Sequence, residues 1–376
     1  MKTLDMSLLK NEEKAVFALR ALYRKYGYLP YKMGKFEEYD FYARNKAFLA
    51  SDHIITFTDT NGKLLALKPD VTLSIIKNGK DTPGCNQKVY YSENVYRVSE
   101  STLAYKEIMQ TGLECIGDID LYSILEVLQL AAESLATMSD EFVLDISHVG
   151  ILAGLLEEAA DKDDFCREVV RCVAGKNAHE IRRLCAEYEI GEELCRKLTE
   201  FVGIYGEMKG VLAKLESLCS NDSMQQALQQ LRAIAEFFEN TPCEKQIHFD
   251  FSVVNDMSYY NGIVFQGFLS GVSESILSGG QYDKLMEKLG RQAGAIGFAV
   301  YLDLLERRYA TVSAYDVDTV LLYDDETDRK TLLQARQMLT DTGKTVSVQR
   351  AVPQQLRYRQ LLQVKDRGLE ILENND

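Results

Sequence analysis

The chain has 376 residues, 46% of them hydrophobic and 27% charged, with five prolines and no low-complexity tract, which excludes a disordered protein and leaves room for roughly two or three domains. Its 43 basic residues are outnumbered by 57 acidic ones, for a net charge of −14; phosphate-binding proteins show basic surfaces, so tRNA or another nucleic acid is not expected as a partner. No apolar run reaches the roughly 18–20 residues of a membrane span, and the charged start Met1–Lys14 has no signal-peptide core, so a cytoplasmic protein is expected. The eight cysteines (85, 115, 166, 172, 185, 195, 219 and 243) form no Cys-x-x-Cys, and there are only four histidines. We expect reduced thiols on buried helix faces, no metal site and no cofactor.

A first helix is expected after Asn11 as its cap, with Glu12 and Glu13 in its first turn, Val16, Leu19 and Tyr23 at helical spacing, and Gly27 as its end. Strands and turns follow from about 36 to 120. Asp59-Thr60-Asn61-Gly62 is a turn between Ile54–Phe57 and Leu64–Leu67, and Lys88–Tyr96 and Tyr105–Ile116 read as an antiparallel pair joined through Ser99–Thr102. An amphipathic helix (Tyr122–Ala136) and a strand (Phe142–Ile146) come next. From about 149 to 242 the periodicity is helical throughout, so a helical insertion is expected there. Strands return at Ile247–Ser252, Ile263–Phe268 and Val272–Leu277. Gly279-Gly280 then reads as a turn into a helix through Leu289, with a second helix from about Gly297 to Arg308. Antiparallel strands with helices to one side predict an α+β fold over residues 1–312. Residues 313–376 read as a small α/β unit: strand Thr319–Tyr323, helix Lys330–Leu339, strand Thr345–Val348, a helix and a last strand Leu369–Leu372.

Four segments place polar groups where packing alone would not ask for them. In Leu67-Lys68-Pro69-Asp70-Val71-Thr72 a proline stiffens a strand end and presents Asp70 and Thr72. Arg97 stands at a strand turn, and Gln110, Gly112 and Glu114 alternate on the return strand. Period two puts these three on one face, with the glycine leaving room for a ligand. The third segment is Val254-Asn255-Asp256-Met257-Ser258-Tyr259-Tyr260, and the fourth is Ser278-Gly279-Gly280-Gln281-Tyr282-Asp283. Taken singly, each also reads as a plain turn or a solvated edge.

In this order the four segments resemble the catalytic body of class II histidyl-tRNA synthetases over roughly residues 1–310. The family's Leu-Arg-Pro-Glu-x-Thr is similar to Leu67–Thr72, and its motif-two arginine and Gln-x-Gly-x-Glu to Arg97 and Gln110–Glu114. Its Val-Arg-Gly-Leu-Asp-Tyr-Tyr is similar to Val254–Tyr260. Its Gly-Gly-Arg-Tyr-Asp and third motif are similar to Gly279–Asp283 and Gly297–Leu304. The resemblance implies a class II synthetase-like antiparallel sheet with flanking helices, and a C-terminal unit that is a shortened anticodon-binding domain. It also implies a histidine-like pocket: Asp70, Thr72 and Gln110 toward the ammonium, Glu114 and Tyr260 toward the imidazole, with Tyr259 and Arg97 beside them. Carboxylate and amide oxygens suit an ammonium, and an acceptor with a hydroxyl suits an imidazole.

Adenylate formation gathers a carboxylate and a triphosphate and needs cations aimed at them. Of the family's arginines only Arg97 is kept; Asn255, Gln281 and Leu304 stand at the other positions. Losing one such donor costs on the order of 10²–10³ in rate, so amino-acid activation is not expected. Together with Ser258–Phe265 and His148–Ile151, this pattern resembles the synthetase paralogues that serve as regulatory subunits of short-form ATP phosphoribosyltransferase. The resemblance implies a non-catalytic role in the first step of histidine biosynthesis, with histidine as the feedback effector. It further implies a homodimeric core joined to the separate catalytic phosphoribosyltransferase in a hetero-oligomer. A divergent histidyl-tRNA synthetase and a stand-alone synthetase-like amino-acid-binding protein are the alternatives.

Overall fold

The structure, a computed structural model, describes residues 9–46, 49, 53–98, 104–253, 259–305, 314–365 and 368–375. Helix α1 (Asn11–Lys25) buries Ala15, Val16, Leu19 and Tyr23. Its cap is Lys10 rather than Asn11, because the Glu13 carboxylate reaches back to accept the Lys10 N–H at 2.9 Å and closes the first turn one residue early. Gly27 leaves the helix at φ +82°, a conformation open to glycine. After β1 (Leu29–Pro30), a small sheet forms from β2 (Phe36–Glu38), β3 (Thr56–Thr58) and β4 (Leu64–Leu67), with α2 (Tyr39–Arg44) beside it. The β3–β4 turn is held by Asp59, whose Oδ1 accepts from the N–H groups of Asn61 and Lys63 at 2.8 Å each.

Helix α3 (Thr72–Asn78) leads to the long antiparallel pair β5 (Gln87–Val98) and β6 (Tyr105–Gly117). Residues 99–103 of the connection expected between them lie outside the described residues. Asp120 caps α4 (Leu121–Met138) through the Ser123 N–H at 2.8 Å, and β7 (Phe142–His148) follows. The insertion then runs α5 (Val149–Leu156), α6 (Asp163–Ala174), α7 (Ala178–Glu187), α8 (Glu192–Val202), β8 (Tyr205–Glu207), α9 (Met208–Glu216) and α10 (Asp222–Phe238). It is not helical throughout: β8 pairs with β9 (Ile247–Asp250) and becomes an edge of the main sheet. His148 starts the insertion as a structural cap. Its Nδ1 accepts the Gly150 N–H at 3.0 Å, so its Nε2 hydrogen is free to donate to Gln230 Oε1 at 2.9 Å. Burial holds this imidazole below the usual histidine range, in the neutral form that the cap requires. Lys176 (φ +51°), just past α6, ties the insertion to β9 through Asp250 at 2.6 Å.

Three expectations in the next stretch change. Strand β10 (Ile263–Leu269) is followed by a turn with Gly271 at φ +82°, not by a strand at Val272. The strand β11 is Leu277–Gln281, so Gly279-Gly280 lies within a strand and is no turn. A Cβ at Gly279 would sit 2.4 Å from the Gly297 carbonyl and 2.7 Å from the Phe265 ring; close strand and core approach, not bending, requires the glycine. After α11 (Asp283–Lys288), Gly294–Tyr301 is strand β12 rather than the start of a helix. Ile296, Phe298 and Val300 enter the main core while Gly297 and Ala299 face the other way, a period of two.

The main sheet has the order β1-β5-β6-β12-β11-β10-β7-β9-β8 and is mixed, with β1–β5 and β7–β9 parallel among antiparallel neighbours. One face, including Leu113, Cys115, Ile296, Phe298, Phe265 and Ile146, packs into a large core with α1 and α4. On the other face Val89, Tyr91, Val95 and Ile116 pack with residues of α3 and α11 in a smaller cluster. No helix among the described residues is long and apolar enough to cross a membrane.

The chain divides into two units, Met1–Tyr309 and Ala310–Asp376. The second contains β13 (Val317–Leu322), α12 (Arg329–Asp341), β14 (Val346–Gln349), β15 (Tyr358–Lys365) and β16 (Gly368–Asn374). Its sheet runs β14-β13-β15-β16, with only β16 antiparallel. The second helix expected there is absent among the described residues, because Leu361, Leu362 and Val364 are buried from a strand instead. Arg350, Arg357 and Arg359 each meet an aspartate, Asp325, Asp316 and Asp318 respectively, and so form no free basic stripe.

The strand glycines give a direct test. Gly279→Ala is expected to lower the unfolding free energy by about 3 kcal/mol, because backbone and ring carbon stand where the methyl would go. Gly210→Ala, in α9 with open space around it, is expected to leave stability unchanged or raise it by up to about 1 kcal/mol. Urea titrations of the two variants measure both, and equal effects would contradict this account of the sheet.

Candidate ligand site

The register places Gln110, Gly112 and Glu114 of β6 opposite Tyr301, Ala299 and Gly297 of β12, and Gly297 and Ala299 in turn opposite Gly280 and Ser278 of β11. All of these project from the face opposite the large core. Above them lies a cavity of about 310 Å³. Asp70, Thr72, Arg97, Gln110, Glu114, Tyr259 and Tyr260 all line it, together with Tyr91, Gln266, Ser278, Tyr282 and Tyr301.

Glycines on this face make the geometry feasible. A Cβ at Gly297 would fall 1.8 Å from Glu114 Oε2, so the carboxyl lies in the space that glycine leaves. Gly112 does the same for the Tyr91 hydroxyl, and Gly280 for the Tyr260 ring, 2.7 Å from its missing Cβ. Glu114 is only 2% exposed. It takes a hydrogen bond from Thr72 Oγ1 at 2.7 Å on Oε1 and one from the Tyr282 hydroxyl on Oε2. Burial dominates and pushes its carboxyl up to about 8, with Asp70 adding to the rise and the two hydroxyls opposing it.

The neighbouring groups are set by backbone. Asp70 Oδ1 accepts the Leu73 N–H at 2.8 Å, which fixes it at the start of α3; burial raises its carboxyl too, against the pull of Arg97. Arg97 Nε donates to the Pro69 carbonyl at 2.9 Å, which aims the rest of the guanidinium along the cavity wall. Gln110 is 2% exposed and lines the cavity. Tyr260 meets Ser278 through its hydroxyl, and Tyr259 stacks edge-on against Tyr260 with ring centroids 4.6 Å apart. Lys68, where the family pattern has arginine, is not a cavity cation. It is 1% exposed and paired with Glu93 at 2.6 Å.

The positions expected to have lost their arginines fall elsewhere. Gln281 turns away from the cavity: its Nε2 donates to Asp283 Oδ2 at 2.7 Å and its side chain fills the space beside Gly262. Leu304 is buried in the large core. Asn255 lies outside the described residues. Arg97 is the single Lys or Arg lining the cavity among the described residues. Among them, too, no group of three or more His, Cys, Asp or Glu side chains is placed to hold a metal ion. The sequence reading missed Tyr91, Tyr282 and Tyr301. Tyr91 could have been found from strand pairing, since it stands opposite Gly112, and Tyr282 from its place beside the double glycine.

The chain matches the histidyl-tRNA synthetase family over residues 3–305. It is 30% identical over 283 residues to the ATP phosphoribosyltransferase regulatory subunit of Oceanobacillus iheyensis, covering 74% of this chain and 69% of that one. The regulatory subunit of Acetivibrio thermocellus is 28% identical over 340 residues, 88% and 81% of the two chains. Among solved structures, an ATP phosphoribosyltransferase regulatory subunit/histidyl-tRNA synthetase from Bacillus halodurans superposes with a TM-score of 0.73 at 25% identity, covering 93% of this chain and 91% of that one. A histidyl-tRNA synthetase from Nostoc sp. gives a TM-score of 0.68 at 17% identity, with 96% and 92% covered, a likeness of fold alone. So does a chain of the ATP phosphoribosyltransferase (HisG:HisZ) complex from Thermotoga maritima, with a TM-score of 0.61 at 20% identity and 77% and 97% covered. The chain belongs to the histidyl-tRNA synthetase-like family, in its branch of ATP phosphoribosyltransferase regulatory subunits.

Proposed function

We propose that this chain is the non-catalytic, effector-sensing subunit of ATP phosphoribosyltransferase, acting at the first step of histidine biosynthesis. It joins the separate phosphoribosyltransferase chain through a homodimeric core in a hetero-oligomer, and it holds histidine in the cavity without activating it. The observation that carries the reading is the imbalance of that cavity. Asp70, Thr72, Gln110, Glu114 and Tyr260 offer acceptors and hydroxyls to an ammonium and an imidazole, while among the described residues Arg97 alone offers a cation. One guanidinium suits one carboxylate. A triphosphate and a developing adenylate would need more, and Gln281 and Leu304 do not supply it. Copurification from the source cell tests the assembly: a phosphoribosyltransferase that is fully active and histidine-sensitive without this chain would overturn it.

The remaining cation gives a second test. The isolated chain is expected to show no histidine-dependent ATP–pyrophosphate exchange, yet to bind histidine. Arg97→Met is expected to weaken that binding by about tenfold or more, consistent with one lost charge-assisted pair of roughly 1.5–3 kcal/mol. Calorimetry would read the affinity, and robust exchange in the wild type would rule the proposal out.

Glu114 gives a third. Its carboxyl, near 8, keeps its proton at neutral pH; the ligand's ammonium, a cation already at pH 7 and placed at the neighbouring Asp70, stabilises the ionised form, while the imidazole stays uncharged and takes no proton. Histidine binding at pH 7 is therefore expected to release a fraction of a proton. The release is read as a binding enthalpy that varies with the ionisation enthalpy of the buffer, and it should vanish in Glu114→Gln. The sign for stability follows. Unfolded Glu114 ionises near 4.5 while the folded group holds its proton to about 8, so its contribution falls as pH rises through that window and levels off above it. Buffer-independent enthalpies in the wild type would place the ligand away from Glu114.

A further inference from the structure

The eight cysteines look scattered in sequence, yet the fold brings two of them together. Helix α7 ends two residues after Cys185 and α8 begins three residues before Cys195. The connection 188–191 folds the chain straight back. The Ile190 N–H donates to the Cys185 carbonyl at 2.8 Å, and the Cys195 N–H donates to the Gly191 carbonyl at 3.1 Å. This sets the last turn of α7 against the first turn of α8. Both cysteines border one open cavity between the helices, flanked by Arg182 and Arg196 and by Glu192 and Glu200. They differ in access: Cys185 is 2% exposed, while Cys195 is half-buried at the opening.

The other thiols lack such an arrangement. Cys166 donates to the Ala159 carbonyl at 3.3 Å, Cys115, Cys172 and Cys219 are buried, Cys85 is exposed, and Cys243 is half-buried and does not border that cavity. We propose that Cys185 and Cys195 are a peroxide-reactive dithiol, in which Cys195 is oxidised first and Cys185 resolves it to a disulfide across the α7–α8 hairpin.

The chemistry balances with one equivalent of hydrogen peroxide. The Cys195 thiolate attacks a peroxide oxygen and the O–O bond breaks. The departing hydroxide takes a proton and leaves as water, and the sulfur, now oxidised, is a sulfenic acid. The Cys185 sulfur then gives up its proton and attacks the Cys195 sulfur. The S–O bond breaks, a second water leaves, and the disulfide forms. Burial pushes the Cys185 thiol up to about 12, with Cys195 adding to the rise. A thiol held in its protonated form is a poor first target for peroxide, which leaves the first step to the accessible partner; Cys185 takes the second by its place in the same cavity.

The test uses the full reduced chain, treated with dilute hydrogen peroxide, then alkylated and mapped by mass spectrometry. Alkylatable thiols are expected to fall from eight to six, the intact mass to drop by two hydrogen atoms, and the linked peptides to contain Cys185 and Cys195; dithiothreitol should reverse all three changes. Cys185→Ser is expected to trap Cys195 as a sulfenic acid that dimedone labels. Cys195→Ser should give neither disulfide nor label at 185. The exposed, solitary Cys85 serves as the internal control for general oxidation. The proposal fails if both thiols stay alkylatable while Cys85 is oxidised, if the disulfide joins other cysteines, or if dimedone labels Cys185 first. Because the wild type alone decides the first two outcomes, a variant that does not fold leaves the proposal still testable.

Discussion

A carboxyl group lying against a sheet needs room and donors, and Glu114 has both because residue 297 is glycine. With a Cβ at that position 1.8 Å from Oε2, the carboxyl would be displaced from the cavity floor, and with it the contacts to Thr72 and Tyr282. Those two contacts do more than satisfy Glu114. Thr72 opens α3 and Tyr282 immediately precedes α11, so one buried carboxyl joins the two short helices that pack over this face to the centre of the sheet. Asp283, next in the chain, extends the tie: its Oδ1 accepts the Ala295 N–H of β12 and its Oδ2 the Asn261 amide, both at 2.9 Å. Wall and floor of the cavity are thus held through adjacent residues of one segment.

The same sheet solves two packing problems on its two faces. Toward α1 and α4 it presents large apolar groups from almost every strand, a dry core that fixes register, since a slip by one residue would turn every such group outward. Toward the cavity it presents glycines, an alanine and a serine on β11 and β12, with bulk confined to the margins. A sheet so bare in its middle cannot bury that face with its own side chains. It leaves a polar hollow, and the dry face makes up the stability that the hollow does not give.

Much of this was legible in the sequence where a local rule had no competitor. The Asp59–Gly62 turn, the β5–β6 pair and the alternation of Gln110, Gly112 and Glu114 depend on neighbours within a few residues or on a period of two. The errors arose where a long-range contact reversed a local preference. Gly279-Gly280 reads as a bend, yet it lies in a strand because the Gly297 carbonyl and the Phe265 ring, brought in from other strands, leave no space for a side chain. Gly294–Tyr301 is rich enough in alanine and bulky groups to pass for helix, and only its neighbours β6 and β11 decide for strand. That Cys185 and Cys195 border one cavity was invisible for the same reason, since ten positions of spacing match no motif until two helices fold back on each other.

The distribution of positive charge around the cavity bears most directly on the proposed role. Lys68, Lys106 and Arg97 are engaged differently by the structure. Lys68 is buried and paired with Glu93 at 2.6 Å, and it is not among the residues that line the cavity. Lys106 lines an adjoining hollow with Glu274 and Asp303, which shares Gln266, Ser278 and Tyr301 with the cavity. Arg97, whose Nε donates to the Pro69 carbonyl, lines the cavity. A zwitterionic amino acid asks for one cation opposite its carboxylate and acceptors elsewhere; Asp70 lines the cavity as one acceptor, and Glu114 can supply another by ionising when a cation arrives. A nucleoside triphosphate asks for several cations at once, and in their place it would meet two buried carboxyl groups and five tyrosines. Electrostatics of this kind favour reversible recognition, in which protons rather than phosphoryl groups move when the ligand enters.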